Sequence, residues 1–231
     1  MEKCDILELK ESILADNDAD ADKLRLELKD EDLFYINIMS SPGSGKTTTI
    51  LQLLDALKED FNIGVMEADI DSSVDAETVL SAGYPCVQLH TGGMCHLDAD
   101  MSRQGIDCLK GHLKKAGIKT KLDAVILENV GNLVCPAEFD TGAHMNLVIL
   151  SVPEGHDKPL KYPLVFEKCE AVIVNKTDAL PVFDFDFEEL KKGAETRNKD
   201  AKIFPISALK GEGIDAVSSY IKNRILGFKK G

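Results

Sequence analysis

The sequence predicts an α/β fold with a mostly parallel sheet and helices on both faces. Short apolar runs alternate with stretches of helical periodicity, and this alternation is typical of parallel strands joined by helical crossovers. A glycine-rich segment also follows the first run and opens a helix. The predicted strands are 33–40, 61–69, 85–90, 122–129, 146–152, 170–176 and 201–207, and the predicted helices are 46–60, 74–82, 96–116, 158–168, 187–198 and 213–228.

The length and composition suit a single core. The chain has 231 residues, 44% of them hydrophobic, which is enough for one sizeable α/β domain. Residues 4–30 are polar and charged, with apolar positions near helical spacing, and predict one or two loosely attached helices. We therefore expect an N-terminal helical segment, 1–32, followed by a domain, 33–231, that carries the motifs below.

Charge and hydropathy exclude several classes of partner. A net charge of −13 argues against nucleic acid, which requires a basic surface. We expect no membrane span, since none of the apolar runs approaches ~20 residues. The segment after Met1 lacks a basic region leading into an apolar one, so no secretory signal is expected and the cytoplasm is predicted. In that compartment the six cysteines are expected to be reduced thiols or metal ligands.

The segment SSPGSGKTTT, residues 40–49, has the context of a phosphate-binding loop. Its glycines allow backbone N–H groups to surround phosphates, and the following helix N-terminus adds positive potential. We expect Lys46 to reach the β- and γ-phosphates and Thr47 to hold Mg²⁺. The motif requires glycine at position 40, where this chain has Ser40. The candidate phosphate ligands are Gly43, Ser44, Gly45, Lys46, Thr47 and Thr48.

The segment NKTD, residues 175–178, predicts a guanine-reading site at the end of the sixth strand. The Asp178 carboxylate can accept hydrogen bonds from N1–H and the exocyclic amine of guanine, whereas adenine presents a bare acceptor at N1. Asn175 is expected either to read the base or to tie loops together, and the Lys176 stem to lie along the ring. Ser207 and Ala208 resemble the last guanine-contacting segment of GTPases.

Acidic residues at strand ends predict a magnesium site. Asp69 and Glu128 close the second and fourth strands and can hold waters around Mg²⁺, which prefers oxygen ligands. Asp75 opens a helical stretch, where it is either an N-cap or a residue that assists the metal or the attacking water. No arginine finger is evident, so we expect slow GTP hydrolysis.

Thiols and an imidazole lie on two loops expected at one sheet edge. Cys95 and His96 follow the third strand, and Cys135 follows Glu128 and Gly131. Such ligands suit Ni²⁺ or Zn²⁺, but two thiols and one imidazole are too few for a closed site. A two-fold dimer would supply the rest. The alternative is that a cysteine is a small buried hydrophobe, which we expect for Cys86, Cys108 and Cys169.

These segments resemble the nickel-insertion GTPases of hydrogenase maturation, the HypB family, from about residue 34 to 228. The similar segments, in family order, are SSPGSGKTT, TGGMCHLDA, ENVGNLVCPAEFDTG, EGHDKPLKYP and NKTD. The resemblance implies a P-loop NTPase of the dimerising signal-recognition and MinD-like class. It implies a GTP-dependent homodimer that binds Ni²⁺ or Zn²⁺ at its interface through Cys95, His96 and Cys135.

The resemblance also implies partners. Lys161 matches a family lysine that reaches the guanine of the other protomer. Family members pass nickel to hydrogenase large-subunit precursors and work with the zinc-bearing protein HypA. Some members carry an N-terminal cysteine cluster or histidine-rich stretch, whereas the N-terminal region here has only Cys4, so a separate storage site is not expected.

We therefore expect a GTPase that acts as a nickel metallochaperone, in which Glu128, Gly131 and Cys135 link nucleotide state to metal release. A urease-type nickel accessory GTPase, or a cobalamin-enzyme chaperone, is one alternative. Urease-type loops carry Cys-Pro-His, whereas Cys135 here is followed by Pro136 and Ala137. A regulatory GTPase with a structural Cys135 is another. An ATPase or kinase is disfavoured, because Asp178 should reject adenine.

Overall fold

The computed structural model of the chain describes residues 9–70, 72–117 and 121–230, and the expectation that concerns Cys4 lies outside them. All seven predicted strands are confirmed, and they form one sheet in the order β3-β2-β4-β1-β5-β6-β7. Every pairing in it is parallel. The strands are β1 Phe34–Ser40, β2 Ile63–Asp69, β3 Cys86–His90, β4 Ala124–Glu128, β5 Met145–Ser151, β6 Ala171–Asn175 and β7 Lys202–Pro205.

Most helices begin and end close to their predicted bounds. The α-helices of the described residues are α1 Leu9–Asp30, α2 Lys46–Leu57, α3 Val74–Ser81, α4 Ala99–Lys115, α5 Cys135–Glu138, α6 Lys158–Lys161, α7 Pro163–Lys168, α8 Phe187–Arg197 and α9 Ile214–Lys230. In the described part of the chain, none is both long and apolar enough to span a bilayer.

Two features of the helix prediction were wrong. The predicted helix 158–168 is divided into α6 and α7, because Pro163 disfavours the helical region for the residue before it, and Tyr162 has φ −129° and ψ 62°. The short helix α5 was not predicted at all. Its four residues, CPAE, are too few for an apolar period to be read.

The sheet is covered on both faces, which explains why β1 is buried along its whole length. On one face α2, α3 and α9 pack through side chains such as Leu53, Val79 and Ile221. On the other face α1 and α4 pack through Leu28 and Ile106. Burying such a side chain contributes about 1.5–3 kcal/mol each.

The strand order places the functional loops together. Strand β1 lies between β4 and β5, so the connections leaving it and its neighbours diverge at the carboxyl ends of the strands. The loops after β1, β2, β3, β4 and β6 all leave from that edge of the sheet. Every motif identified in the sequence except the segment around Lys161 lies on one of them or on the loop after β7.

The C-terminal half of the N-terminal helix is packed firmly against the domain, contrary to the expectation of loose attachment. Leu24 and Leu28 of α1 are buried against α4 and the sheet, with 1% and 2% of their surface exposed. Arg103 of α4 donates a 3.0 Å hydrogen bond to Glu27, and Arg25 pairs with Asp140. Apolar positions at a spacing of four residues predicted the helix, but its partner was visible only in three dimensions.

Candidate nucleotide and metal site

The loop between β1 and α2 has the backbone of a phosphate cradle. Gly43 and Gly45 have φ of 76° and 88°, values that side chains disfavour. A Cβ added at Gly45 would lie 2.5 Å from Nδ2 of Asn175, so only glycine fits there. Gly45 has no side chain to cap α2, so the first N–H groups of the helix are available to an anion.

Lys46 and Thr47 are held at the start of α2 by two residues of the neighbouring strands. The Nζ of Lys46 donates a 2.9 Å hydrogen bond to Oγ of Ser40 and lies 3.8 Å from Oε1 of Glu128. The hydroxyl of Thr47 donates to the same Glu128 oxygen at 3.1 Å. Ser40, the residue that departs from the motif, therefore positions the lysine. Ser44 is fully buried and its hydroxyl has no partner, whereas Thr48 is exposed.

A cavity of about 350 Å³ opens beside the loop, with one cation and several carboxylates on its wall. Its lining includes Lys46, Glu67, Asp69, Asp75, Glu128 and Gly131. Asp75 is the second residue of α3, and the N-cap position is Ser73, so the N-cap alternative for Asp75 was wrong. Asp69 accepts a 2.8 Å hydrogen bond from the N–H of Ser72.

Sequence reasoning missed Glu67. It faces Glu128 across β2 and β4, and only 2% of its surface is exposed. Burial, and then the charge of Glu128, raise the pKa of Glu67, and burial likewise raises the pKa of Glu128 against the opposing effect of Lys46. The sequence feature that could have indicated Glu67 is an acidic residue inside the otherwise apolar run IGVMEAD.

Asn175 ties three loops together. Its Nδ2 donates to the carbonyl of Ser44 at 2.9 Å, and its Oδ1 accepts from the N–H of Ala208 at 3.0 Å. Only 3% of its surface is exposed. These bonds show the loop-tying role of Asn175, which fixes the segments after β6 and β7 relative to the phosphate loop.

Asp178 is half-buried and its pKa is held below the usual range. The hydroxyl of Ser207 donates to its Oδ1 at 2.5 Å, and this hydrogen bond lowers the pKa of Asp178. Lys176 stands beside it, with its Nζ 2.7 Å from the carbonyl of Gly43 and its stem extended between the two loops. Lys161 lies elsewhere, on α6, where it pairs with Asp157 at 2.6 Å.

The two sulfur-bearing loops meet. Cys95 lies between β3 and α4, and Cys135 is the first residue of α5. An interaction between the two thiols, in which Cys95 holds the proton, raises the pKa of Cys95. The ring of His96 stacks on Phe139, with centroids 3.6 Å apart, and its burial lowers the pKa of His96. Phe139 was not singled out in the sequence, because stacking leaves no local pattern.

One chain alone does not complete a metal site. Among the residues that the structure describes, no group of three or more His, Cys, Asp or Glu side chains is arranged to hold a metal ion. The five described cysteines are free thiols, and Cys86 and Cys169 are buried as expected. Cys108 was expected to be buried too, but it lies on the exposed face of α4 with its Sγ 3.7 Å from Nδ1 of His112.

Comparison with known proteins places the chain among close relatives. Residues 34–205 match the family model described as CobW/HypB/UreG, nucleotide-binding domain. The hydrogenase/urease maturation factor HypB of Helicobacter pylori is 39% identical over 215 residues, which cover 93% of this chain and 86% of that protein. The chain belongs to the HypB family. The matched region contains the phosphate loop, both thiol-bearing loops and the NKTD segment.

Solved structures of the HypB family share the fold of this member. The crystal structure of Helicobacter pylori HypB in complex with nickel has a TM-score of 0.84 and 38% identity, covering 92% of this chain and 96% of that one. The crystal structure of HypB from Archaeoglobus fulgidus has a TM-score of 0.78 and 32% identity, covering 91% of this chain and 99% of that one. The signal recognition particle receptor FtsY from Elizabethkingia anophelis shares the fold alone. Its TM-score is 0.53 and its identity 16%, over 87% of this chain and 72% of that one.

Proposed function

We propose that this HypB-family chain is a GTPase that carries nickel and transfers it during maturation of nickel–iron hydrogenases. One relationship carries the proposal: a single segment joins the nucleotide cavity to the thiol pair. Glu128 contacts Thr47 at the start of this segment, and Cys135, near its end, interacts with the thiol of Cys95 and raises its pKa. The relatives are hydrogenase maturation factors and one of them is solved with nickel, which supports the choice of cargo.

Guanine recognition is assigned to the segments that Asn175 holds together. The Asp178 carboxylate accepts the N1–H and the exocyclic amine of guanine, and Lys176 lies along the ring. The Ser207–Ala208 segment closes the other side of the base. Because the hydrogen bond from Ser207 keeps Asp178 ionised, the site favours a base that donates two hydrogen bonds.

The phosphates are assigned to the cradle from Gly43 to Thr48. Lys46 neutralises the β- and γ-phosphates, and the N–H groups of the loop surround them. The residues also fit Mg²⁺, since the buried Oε2 of Glu128 has no partner other than the Glu67 carboxyl and Glu128 lines a cavity with Asp69, beside the Thr47 hydroxyl. A Mg²⁺ ion held there supplies charge neutralisation for the terminal phosphates.

Asp75 is the proposed residue for orienting the attacking water. It is exposed on the first turn of α3 and lines the same cavity as Lys46 and Glu128. None of the described residues lining this cavity is an arginine, so among them Lys46 supplies the positive charge near the γ-phosphate and none acts as an arginine finger. Slow hydrolysis follows.

Nickel is assigned to Cys95, His96 and Cys135 from two protomers. Burial keeps the His96 ring neutral, which is the form that ligates a metal. Two copies of each thiol across a two-fold axis complete the ligand set that one chain lacks. Because Zn²⁺ accepts the same ligands, it competes for the site.

The remaining partners follow from the same proposal. The dimer forms in the GTP state, and Lys161, with 58% of its side chain exposed, leaves Asp157 to reach the guanine of the other protomer. HypA delivers nickel, and a hydrogenase large-subunit precursor receives it. The expected cytoplasmic location stays a prediction.

The test is metal stoichiometry and oligomeric state on one preparation. Nickel affinity is measured by equilibrium dialysis and oligomeric state by sedimentation. Both are measured once in the presence of GDP and once in the presence of a non-hydrolysable GTP analogue. We expect dimers with the analogue, and different nickel affinities in the two states. Replacing Cys95 and Cys135 together by alanine is expected to abolish stoichiometric binding, while GTP hydrolysis continues.

The matched control is Cys108→Ala, which removes an exposed thiol on α4 outside the site. It is expected to bind nickel as the unmodified chain does. If stoichiometric nickel binding survives in the double variant, the interface site is wrong and the alternative of a regulatory GTPase with a structural Cys135 gains support. ATP turnover equal to GTP turnover would refute the assignment of Asp178.

A further inference from the structure

The side chain of Asn17 joins the two loops that carry the thiols. Its Nδ2 donates a 3.0 Å hydrogen bond to the carbonyl of Asp140, and its Oδ1 accepts a 3.0 Å hydrogen bond from the N–H of Ala99. Asn17 lies on α1, more than a hundred residues away in sequence from Asp140. One amide therefore uses its donor on one loop and its acceptor on the other.

Each bonded backbone group closely follows a proposed metal ligand. Ala99 comes three residues after His96 and is the first residue of α4, where an N–H group has no partner within the helix. Asp140 comes five residues after Cys135, directly after Phe139. The ring of His96 stacks on Phe139, so the two loops touch between the ligands and the Asn17 amide.

The rest of α1 holds this amide in place. Arg25 donates to both carboxylate oxygens of Asp140 and, through Nε, to the carbonyl of Ala143 at 3.0 Å. The Nε2 of His144 approaches the carbonyl of Arg25 at 3.2 Å, and its Nδ1 accepts from the N–H of Tyr35, so Nε2 donates. Burial lowers the pKa of His144 to about 4, so this contact keeps its neutral form at physiological pH.

We propose that Asn17 is a positioning residue for the metal site, setting the separation between the loop of Cys95 and His96 and the loop of Cys135. The inference rests on the proposed function, since it concerns the same ligands. It gives the N-terminal helix a role in metal binding that acts through backbone geometry, with no ligand of its own.

The expected effect is graded. The hydroxyl of Tyr35 donates a 3.0 Å hydrogen bond to Ser102 in the first turn of α4, so that turn stays anchored to the sheet without Asn17. Losing Asn17 therefore widens the range of thiol separations but leaves both loops attached. We expect about tenfold weaker nickel binding, the lower end of the range for residues outside the ligand shell.

The experiment uses the full chain with Asn17→Ala. Nickel affinity is measured by competition with a chelator, and the thiolate-to-nickel absorption is recorded on the same samples. A metal-free readout comes from a short reagent that bridges two thiols: the rate at which it links Cys95 to Cys135, mapped by mass spectrometry, reports their separation. We expect weaker nickel binding, an altered absorption band and slower bridging.

Two further variants separate positioning from folding. Asn17→Asp keeps an acceptor for the N–H of Ala99 but places an oxygen against the carbonyl of Asp140, so nickel affinity is expected between that of the alanine variant and the unmodified chain. Glu31→Gln weakens the contact of Glu31 with Lys110 at the far end of the α1–α4 packing. It is expected to change neither nickel affinity nor bridging.

The outcomes are distinguishable from failure of the proposed function. If Asn17→Ala leaves both nickel affinity and bridging rate within twofold of the unmodified chain, the inference is refuted. If Glu31→Gln impairs both equally, the effect is general loss of α1 packing and the inference is likewise refuted. If the unmodified chain and Cys135→Ala bind nickel equally, the metal site itself is wrong and the inference falls with it; slower bridging would then show only that Asn17 sets the separation of the two loops.

Discussion

The carboxyl groups of Glu67 and Glu128 face each other across β2 and β4, with 2% and 4% of each residue exposed, and Lys46 is the cation nearest to Glu128. One oxygen of each carboxyl is buried with no partner other than the opposite carboxyl. Two buried carboxylates repel, and a proton held between them satisfies both oxygens. Without nucleotide, the pair therefore favours a singly ionised state.

We predict that Glu67→Gln stabilises the nucleotide-free protein as pH rises. The folded pKa of Glu67 lies above its unfolded value of about 4.3, so its contribution is fully present below that pH and is lost as pH rises through the folded pKa. Glutamine stays neutral and can donate to Glu128. The free energy of unfolding should exceed that of the unmodified chain by about 1–3 kcal/mol near pH 8.

Denaturant titrations between about pH 5 and pH 8 measure the difference, which should shrink toward the acidic end. The control is Glu59→Gln, at an exposed position. A difference that is constant with pH would contradict the shared proton.

We predict that Asp178→Asn changes the base that is bound. The amide loses one acceptor and presents a donor to the exocyclic amine of guanine, so GTP affinity should fall at least about a hundredfold. Xanthine carries a carbonyl where guanine has that amine, and xanthosine triphosphate should bind better than GTP. Competition with a fluorescent nucleotide measures both, and Asp184→Asn, in an exposed part of the following loop, is the control. Unchanged base preference would exclude Asp178 from the base site.

We predict that nickel affinity falls as pH falls. A thiol must lose its proton to bind, and the interaction with Cys135, in which Cys95 holds the proton, raises the pKa of Cys95. Burial lowers the pKa of His96, so the imidazole adds less to the pH dependence than the thiols do. Each thiol that ionises on binding costs about a factor of ten in affinity per pH unit below its pKa. Chelator competition between about pH 6.5 and 7.5 measures the slope, and an affinity independent of pH would contradict thiolate ligation.

We predict that Gly131→Ala weakens the link between nucleotide and nickel. A Cβ at Gly131 would lie 3.2 Å from Cγ and 3.4 Å from the backbone of Pro42 in the phosphate loop. The segment from Gly131 to Cys135 must then shift by a few tenths of an ångström away from the loop, at a cost of about 1–3 kcal/mol. The ratio of nickel affinities with GDP and with a GTP analogue should move toward one.

The control for that variant is Gly111→Ala on α4, where an added Cβ meets nothing within 4 Å. It should leave the ratio unchanged. If Gly131→Ala also leaves the ratio unchanged, the route from nucleotide to metal does not run through this contact.

The strands and the phosphate loop were predictable because their signals are local. A parallel sheet covered on both faces requires apolar runs, and β1 is buried throughout as such a run demands. The positive φ of Gly43 and Gly45 is likewise a local need that glycine meets. The break between α6 and α7 was missed because the effect of Pro163 on Tyr162 was overlooked within a long helical pattern.

The site was predictable only in part. Asp75 had two roles open until the helix start placed Ser73 at the N-cap. Two roles were also considered for Asn175, and its hydrogen bonds to Ser44 and Ala208 show that it ties loops together. The meeting of Cys95 with Cys135 was expected from loops at one sheet edge, but the interaction of their thiols depends on the positions of α4 and α5, which local patterns do not encode.

The sequence by itself determined the sheet and the phosphate loop, and it located the segments proposed for guanine and the two loops that carry Cys95 and Cys135, because each is a run of adjacent residues with its own chemistry. Only the tertiary structure decided that Glu67 faces Glu128, that Phe139 supports His96, and that Asn17 joins the two thiol-bearing loops. These contacts join residues far apart in the chain, and packing and hydrogen-bond geometry select such partners only after the chain has folded.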